Sequence, residues 1–277
     1  MTKPKPFVKW VGGKRQIIEK IINNIPEDFN TYFEPFVGGG AVLFEIVHDQ
    51  VVINDYNSEL INVYNILCNP SKTKKMCALL NKHESENNEE YYYGIRNIDR
   101  DKEQFKQLKD YERAARTLYL NKACFNGMYR VNSKNEFNVP YNKNKKINTF
   151  DKDNLSAIHK YLTSGKVIIL NGDFEKAVEG AKKGDFVYFD PPYDNLNESS
   201  FTSYTDNGFG REEQIRLFNC YKRLDKLGVK VMLSNHNTPF INELYKDYNI
   251  TVINAKRSIN SVGSKRGYVE ETIITNY

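Results

Sequence analysis

Asp190-Pro191-Pro192-Tyr193 follows directly on an apolar run, Phe186 to Phe189, and combines groups that suit one kind of chemistry. The carboxylate accepts hydrogen bonds. The two prolines fix the backbone and remove two amide donors, leaving carbonyl oxygens as acceptors. The tyrosine offers a flat face. Together they match an exocyclic amino group on a planar base, with acceptors for both N–H bonds and a ring to stack on. Such a nitrogen is a poor nucleophile because its lone pair is delocalised. Accepting both protons biases it toward tetrahedral geometry and frees the lone pair for in-line attack on a sulfonium methyl. A strand ending in a plain proline turn would use similar residues, but the position at the end of a buried strand favours a site. No metal and no covalent enzyme intermediate are required.

A second constellation is Phe33-Glu34-Pro35-Phe36-Val37-Gly38-Gly39-Gly40, with Asp55 at the end of the next apolar run. Glycines after a first strand let the backbone approach a ligand closely, and an acid at the end of the second strand is placed to bind a ribose hydroxyl. The pair suggests a ligand with an adenosine moiety without separating a nicotinamide dinucleotide from S-adenosylmethionine. The dinucleotide pattern GxGxxG is not satisfied, because Ala41, Val42 and Leu43 follow Gly40.

The elements that must position these residues follow from periodicity. Helical spacing covers Gln16 to Asn23, Ala41 to His48, Tyr111 to Lys122 and Arg211 to Leu227. Strands are expected at Tyr32 to Glu34, Val51 to Asn54, Val167 to Leu170, Phe186 to Phe189, Lys230 to Ser234, Ile250 to Ile253 and Val269 to Thr275. Strand, glycine turn, helix and strand open a doubly wound α/β sheet. The alternation lapses from Glu59 to Lys146, which is polar, rich in Asn and Tyr, and mostly helical. We therefore expect an α/β catalytic domain formed by residues 1–58 and 147–277, interrupted by an inserted recognition domain at 59–146.

Composition narrows the class. With 40% hydrophobic and 27% charged residues over 277 positions, the chain can bury a core without staples. No apolar run approaches the roughly 18 residues of a membrane span, and no secretory pattern follows the N-terminus, so a cytoplasmic location is expected. Four scattered cysteines and four scattered histidines form no metal-binding pattern, so no metal is expected. Lys122 to Lys146 carries six basic residues against Glu136 alone, equal to the chain's whole net charge of +5. Ala255 to Gly267 is a second acid-free stretch, with Lys256, Arg257, Lys265 and Arg266. Two basic loops in an otherwise balanced chain point to a polyanion.

These residues resemble the Dam-type DNA adenine-N6 methyltransferases (the D12 class, alpha group). The resemblance covers nearly the whole chain: Phe7 to Lys14 (FVKWVGGK), Phe36 to Gly40, Asn54-Asp55, Asn126 to Asn132 (NGMYRVN), Phe137 to Pro140 (FNVP), Gly172-Asp173-Phe174 and Asp190 to Tyr193. It implies a Rossmann-like, S-adenosylmethionine-dependent methyltransferase sheet with a mostly helical insertion, acting on double-stranded DNA. By the resemblance, Trp10, Lys14, Phe36, Gly38, Gly40, Asp55, Asp173, Phe174 and Asp190 bind the cofactor, Lys14 neutralising its carboxylate. Asp190, Pro191, Pro192 and Tyr193 are catalytic, with Tyr193 stacking on a flipped adenine. Lys9, Phe125, Asn126, Met128, Arg130, Asn132 and Pro140 contact DNA. Arg130 has the chemistry to pair bidentately with guanine, and Lys9 resembles the family's other guanine contact. The family's usual target is GATC, and a cognate restriction endonuclease acting on the same site is a further partner that the resemblance allows. After Pro140 the family commonly has a glycine-containing turn, whereas this chain reads Tyr141-Asn142-Lys143-Asn144. Asparagine also tolerates a left-handed turn, so the loop is expected to persist.

Other readings are weaker. A methyltransferase for RNA adenine or protein glutamine, a dinucleotide-dependent oxidoreductase and a noncatalytic DNA-binding module each leave part of the pattern unexplained.

Overall fold

The computed structural model describes residues 3–10, 12, 14, 16–165, 167–196, 209–256 and 268–277. Its strands are β1 (Tyr32–Glu34), β2 (Val51–Asp55), β3 (Val167–Asn171), β4 (Phe186–Phe189), β5 (Lys230–His236), β6 (Asn249–Lys256) and β7 (Tyr268–Thr275). The helices are α1 (Ile18–Ile22), α2 (Leu43–Ile46), α3 (Ser58–Leu67), α4 (Pro70–Ser85), α5 (Glu89–Asn97), α6 (Lys102–Gln107), α7 (Asp110–Ala123), α8 (Lys152–Leu162), α9 (Phe174–Ala177), α10 (Arg211–Lys226) and α11 (Pro239–Leu244). The expected elements are all present, with ends displaced by up to three residues. α2 is shorter than expected because Val47 adopts a left-handed conformation (φ 48°) and closes it.

The seven-stranded sheet has the order β3-β2-β1-β4-β5-β7-β6. β1 lies parallel between β2 and β4. The chain therefore moves outward on one side of β1 and resumes on the other, which makes a topological switch point, where ligands bind outside the carboxyl ends of the strands. β4 and β5 are parallel, and β7 inserts antiparallel between β5 and β6. The segments after β1 and β4, Pro35-Phe36 and Asp190 to Tyr193, are thereby brought to neighbouring strand ends.

Two compact units divide the chain. One comprises Lys14–Val37, His48–Tyr56 and Gly172–Tyr277. β4 is buried at all four positions, as a central parallel strand requires. It packs in a core with Phe33, Val231, Leu233 and Ile274 from the sheet and Leu217, Tyr221 and Leu224 from α10. The other unit comprises Met1–Gly13, Gly38–Val47 and Asn57–Asn171. Its richness in asparagine has a local cause: Asn57, Asn69 and Asn88 cap α3, α4 and α5. Its tyrosines are structural, with Tyr64, Tyr92 and Tyr119 fully buried.

The expected division at 58/59 and 146/147 follows the rhythm of the chain, whereas the compact units group residues 1–13, 38–47 and 147–171 with the helical segment. Local bonds account for this grouping. The Tyr64 hydroxyl donates to the Gly38 carbonyl at 3.0 Å. His159 Nδ1 lies 2.8 Å from the Leu67 carbonyl, and the Thr149 amide donates to Glu84 at 2.6 Å.

Gly40 has φ +75°, and a Cβ there would meet the Phe44 ring at 2.7 Å and the Tyr64 hydroxyl at 2.8 Å. Gly40→Ala is expected to lower unfolding stability by about 2–4 kcal/mol, through overpacking and an unfavourable left-handed backbone. Urea denaturation followed by circular dichroism measures this, and an unchanged midpoint refutes it.

Candidate functional site

At the carboxyl end of β4, Asp190 is held from two sides. Lys14 Nζ lies 2.8 Å from Asp190 Oδ1, and the Ser234 hydroxyl donates to the same oxygen at 2.9 Å. The Tyr188 and Ser234 hydroxyls are 2.8 Å apart, extending the chain of polar groups into the sheet. Lys14 is nearly completely buried, and its ammonium also lies 4.5 Å from the centre of the Tyr193 ring. Burial works against the ammonium, but Asp190 beside it, with Tyr188 and Glu271, holds its pKa above the ordinary lysine value. Burial likewise pushes the Asp190 carboxyl above its ordinary value, while Lys14 and Ser234 favour its charged form.

Tyr193 is oriented by neighbours on β5 and β7. Its hydroxyl donates to Glu271 Oε2 at 3.3 Å, and its ring meets His236 edge to face at 4.9 Å. Burial pushes its phenol well above the ordinary range, so it remains a neutral ring. Of the two proline carbonyls, that of Pro192 accepts from Gln214 at 2.8 Å. Sequence reasoning singled out none of Tyr188, Gln214, Ser234, Asn235 or Glu271. The available signals were the polar Ser234-Asn235 ending an apolar strand and Gln214 standing on the apolar stripe of α10.

Within the same unit, Asn54 is buried and donates to the carbonyls of Pro35 and Gly172, each at 2.9 Å. The Gly172 amide donates to the Asp55 carbonyl at 3.2 Å. This network ties the turns after β1 and β3 to the end of β2. It sets half-buried Asp55 beside Tyr56, which is 83% exposed and was not foreseen as a site residue. Asp173 caps α9 through the Glu175 amide at 2.9 Å and pairs with Arg216. Burial opposes its charge, but Arg216 and that amide hold its carboxyl below the ordinary value. Phe36 stacks on buried Phe174, with centroids 5.4 Å apart.

In the other unit, Trp10 is half-buried and stacks on Tyr129 at 5.0 Å. Gly38 (φ +50°) lies under its indole, since a Cβ there would sit 2.9 Å from Trp10 Cδ1. Lys9 is exposed, but its backbone is clamped by the Asn121 amide, which accepts from the Lys9 N–H at 2.9 Å and donates to its carbonyl at 2.7 Å. The Lys9 side chain runs over Gly127, where a Cβ would come within 2.5 Å of it.

The segment that carries the expected DNA contacts includes a hairpin. Val131 pairs antiparallel with Phe137, and the Asn138 amide donates to the Arg130 carbonyl at 3.0 Å. Exposed Arg130 donates from Nε to Asn138 Oδ1 at 2.7 Å. Asn132 closes the tip, accepting from the amides of Lys134 and Glu136 at 3.0 Å and donating to the Glu136 carboxylate at 2.8 Å. Phe125 is 51% exposed, and Asn126 and Pro140 are exposed beside it. The Phe125 amide donates to the Pro140 carbonyl at 2.8 Å, which joins both ends of the segment.

The basic loop has a buried anchor. The Asn87 side-chain nitrogen donates to the Asn144 carbonyl at 2.8 Å and to the Tyr141 hydroxyl at 3.1 Å. Lys143, Lys145 and Lys146 are exposed. The left-handed residue of this loop is Lys143 (φ 63°), not an asparagine as the turn chemistry suggested. Asn142 acts instead through its side chain, accepting from the Asn144 amide at 2.8 Å and bracing the turn. The second basic stretch lies outside the described residues from Arg257 onward. Among the described residues no group of three or more His, Cys, Asp or Glu is placed to hold a metal. No described helix is long and apolar enough to cross a membrane.

Comparison with known proteins gives the family. Residues 10–259 match the family model of the D12 class N6 adenine-specific DNA methyltransferases. Among similar proteins is a Type II methyltransferase of Lactococcus lactis subsp. cremoris, 50% identical over 99% of this chain and 95% of its own. Another Type II methyltransferase, of Methanocaldococcus jannaschii, is 43% identical over 99% of both chains. A DNA adenine methylase of Escherichia coli is 32% identical over 99% of this chain and 95% of its own. The chain belongs to the D12 class N6 adenine-specific DNA methyltransferases, a family and fold that imply S-adenosylmethionine as methyl donor.

Proposed function

We propose that the chain methylates N6 of an adenine flipped out of duplex DNA within a short sequence, with GATC as the target. The observation that carries the catalytic assignment is the Asp190 carboxylate, paired with Lys14 and bonded by Ser234 at the carboxyl end of β4, beside the Tyr193 ring. N6 in the duplex is paired, so the base must leave the stack to reach these groups. Asp190 accepts one N–H of the amino group and opposes the positive charge that develops on nitrogen. The Pro191 carbonyl accepts the other, since that of Pro192 is bonded to Gln214. Tyr193 stacks on the base.

The residues fit S-adenosyl-L-methionine: acids at the ends of β2 and β4, an exposed tyrosine after Asp55, and an aromatic pair at Phe36 and Phe174. When bound, it supplies the electrophilic methyl group. Asp55 holds the ribose, and Phe36, Asp173, Phe174 and Asp190 line the same ligand. Trp10, Gly38 and Gly40 are assigned to it on the family resemblance. We assign Lys14 to Asp190 rather than to the cofactor carboxylate, on the 2.8 Å ion pair.

We assign base reading to Arg130 and Lys9, and wedging or thymine contacts to Phe125, Met128 and Pro140, with Asn126 beside them. Asn132 shapes the hairpin tip, and the exposed lysines 143, 145 and 146 hold phosphates. The GATC target rests on the likeness of Asn126 to Pro140 to the family segment. In this reading the recognition domain spans residues 59–146. The Type II names of two relatives support a role beside a restriction endonuclease.

Three measurements test these assignments. Single-turnover methylation by Asp190→Asn should fall at least ~100-fold, as for losing one preorganised electrostatic contact, while duplex affinity persists. A near-normal rate leaves Asp190 as a turn-former. In calorimetry, Asp55→Ala should weaken cofactor binding by about 1.5–3 kcal/mol and leave DNA affinity without cofactor unchanged; normal cofactor affinity would mean the ribose is held elsewhere. Arg130→Ala should lose ~1–3 kcal/mol of discrimination at one guanine, whereas Lys145→Ala with Lys146→Ala should weaken all duplexes alike and flatten the salt dependence. Equal losses on cognate and near-cognate duplexes for Arg130→Ala would make that residue a phosphate contact.

A further inference from the structure

Beneath the Asp190 to Tyr193 segment lie two side-chain amides, of which the proposed chemistry has drawn only on the Gln214 bond to the Pro192 carbonyl. Gln214 is 1% exposed and Asn235 is 0% exposed. A buried amide that makes no hydrogen bonds is strongly destabilising, so these two require partners, and the partners found are specific. Gln214 Nε2 donates to the Pro192 carbonyl at 2.8 Å, and its Oε1 accepts from Asn235 Nδ2 at 3.1 Å. Asn235 Oδ1 in turn accepts the backbone amides of Asp194 and His236, each at 2.9 Å. Each end of both amides is engaged, so neither can be turned over without setting like groups against each other.

We infer that Gln214 and Asn235 are positioning residues for methyl transfer: as a two-amide relay they hold the Pro192 carbonyl inward and so leave the Pro191 carbonyl and Asp190 as the acceptors offered to the target amino group. The relay grips the segment on both sides of Tyr193, at Pro192 through Gln214 and at Asp194 through Asn235. Its supports are rigid. Gln214 stands on α10 in line with Leu217, Tyr221 and Leu224, and Asn235 stands on β5, whose pairing with β7 sets Asn235 opposite Thr272. A third bond closes the segment behind it, from the Thr238 hydroxyl to Asp194 Oδ2 at 2.7 Å. Prolines at 191 and 192 cannot anchor the loop through amides of their own, and the relay holds it instead by the Pro192 carbonyl and the Asp194 amide.

The inference rests on the catalytic reading of Asp190, and its test separates the two. Gln214→Met keeps the volume and removes both bonds. Asn235→Asp keeps the acceptor for the two backbone amides but draws the Gln214 amide nitrogen toward itself and turns its oxygen against the Pro192 carbonyl. Single-turnover methylation of a cognate duplex at saturating S-adenosylmethionine gives two numbers. The amplitude reports the fraction of folded, competent enzyme, and the rate constant reports the geometry of the reacting groups. A purely structural role moves the amplitude alone. We expect the rate constant to fall at least about fivefold in each variant, since misplacement by about an ångström costs up to a hundredfold, with S-adenosylhomocysteine affinity retained. A smaller fall in either variant overturns the relay, however well that variant folds. Asp190→Asn is the control: if it loses its rate while Gln214→Met keeps its own, only the relay fails, and if Asp190→Asn keeps its rate, the catalytic reading fails first.

Discussion

The structure depends on holding one carboxyl group, that of Asp190, where burial works against its charge. Removing an ion from water costs several kcal/mol even after relaxation, and an uncompensated buried charge is neutralised instead by a shifted pKa. Burial raises the Asp190 carboxyl, and Lys14 and Ser234, which meet the same oxygen, work against that shift. Much of the surrounding architecture serves that meeting. Ser234 must end β5 beside β4, and Tyr188 must lie within β4 to brace Ser234.

The sheet supplies these positions through its connectivity. Because β1 has parallel neighbours on both sides, the strand ends that bear Pro35-Phe36 and Asp190 share one edge. Asn54 exploits this, joining the turns after β1 and β3 through two carbonyls. The antiparallel β7 adds what a wholly parallel sheet would not: Glu271 comes within reach of the Tyr193 hydroxyl because β7 runs back alongside β5 as far as His236.

The basic segment shows another use of asparagine. Asn87, Asn121, Asn132 and Asn142 each satisfy backbone groups in loops too irregular to pair with themselves. Loops whose polar backbone is bonded in this way can present lysines and Arg130 to solvent without collapsing onto the protein. Their side-chain positive charge is then available for an anionic partner, and the backbone is already ordered.

Much of this was legible in the residues alone. Periodicity is a local property, so the seven strands and four of the helices could be placed to within three residues. Asp190 to Tyr193 could be recognised because prolines act on their own backbone whatever surrounds them, and the clustering of charge at 122–146 is a property of the chain. Tertiary structure alone decided the partners. Lys14 and Asp190 are 176 positions apart in sequence, and no local rule sets their ion pair. Gln214 reads as an interruption of an apolar stripe until the Pro192 carbonyl is seen above it. The left-handed turn fell on Lys143 because Asn142 was engaged in bracing it. Local propensity ranks what a residue can do, and long-range hydrogen bonding and burial select which of those things it does.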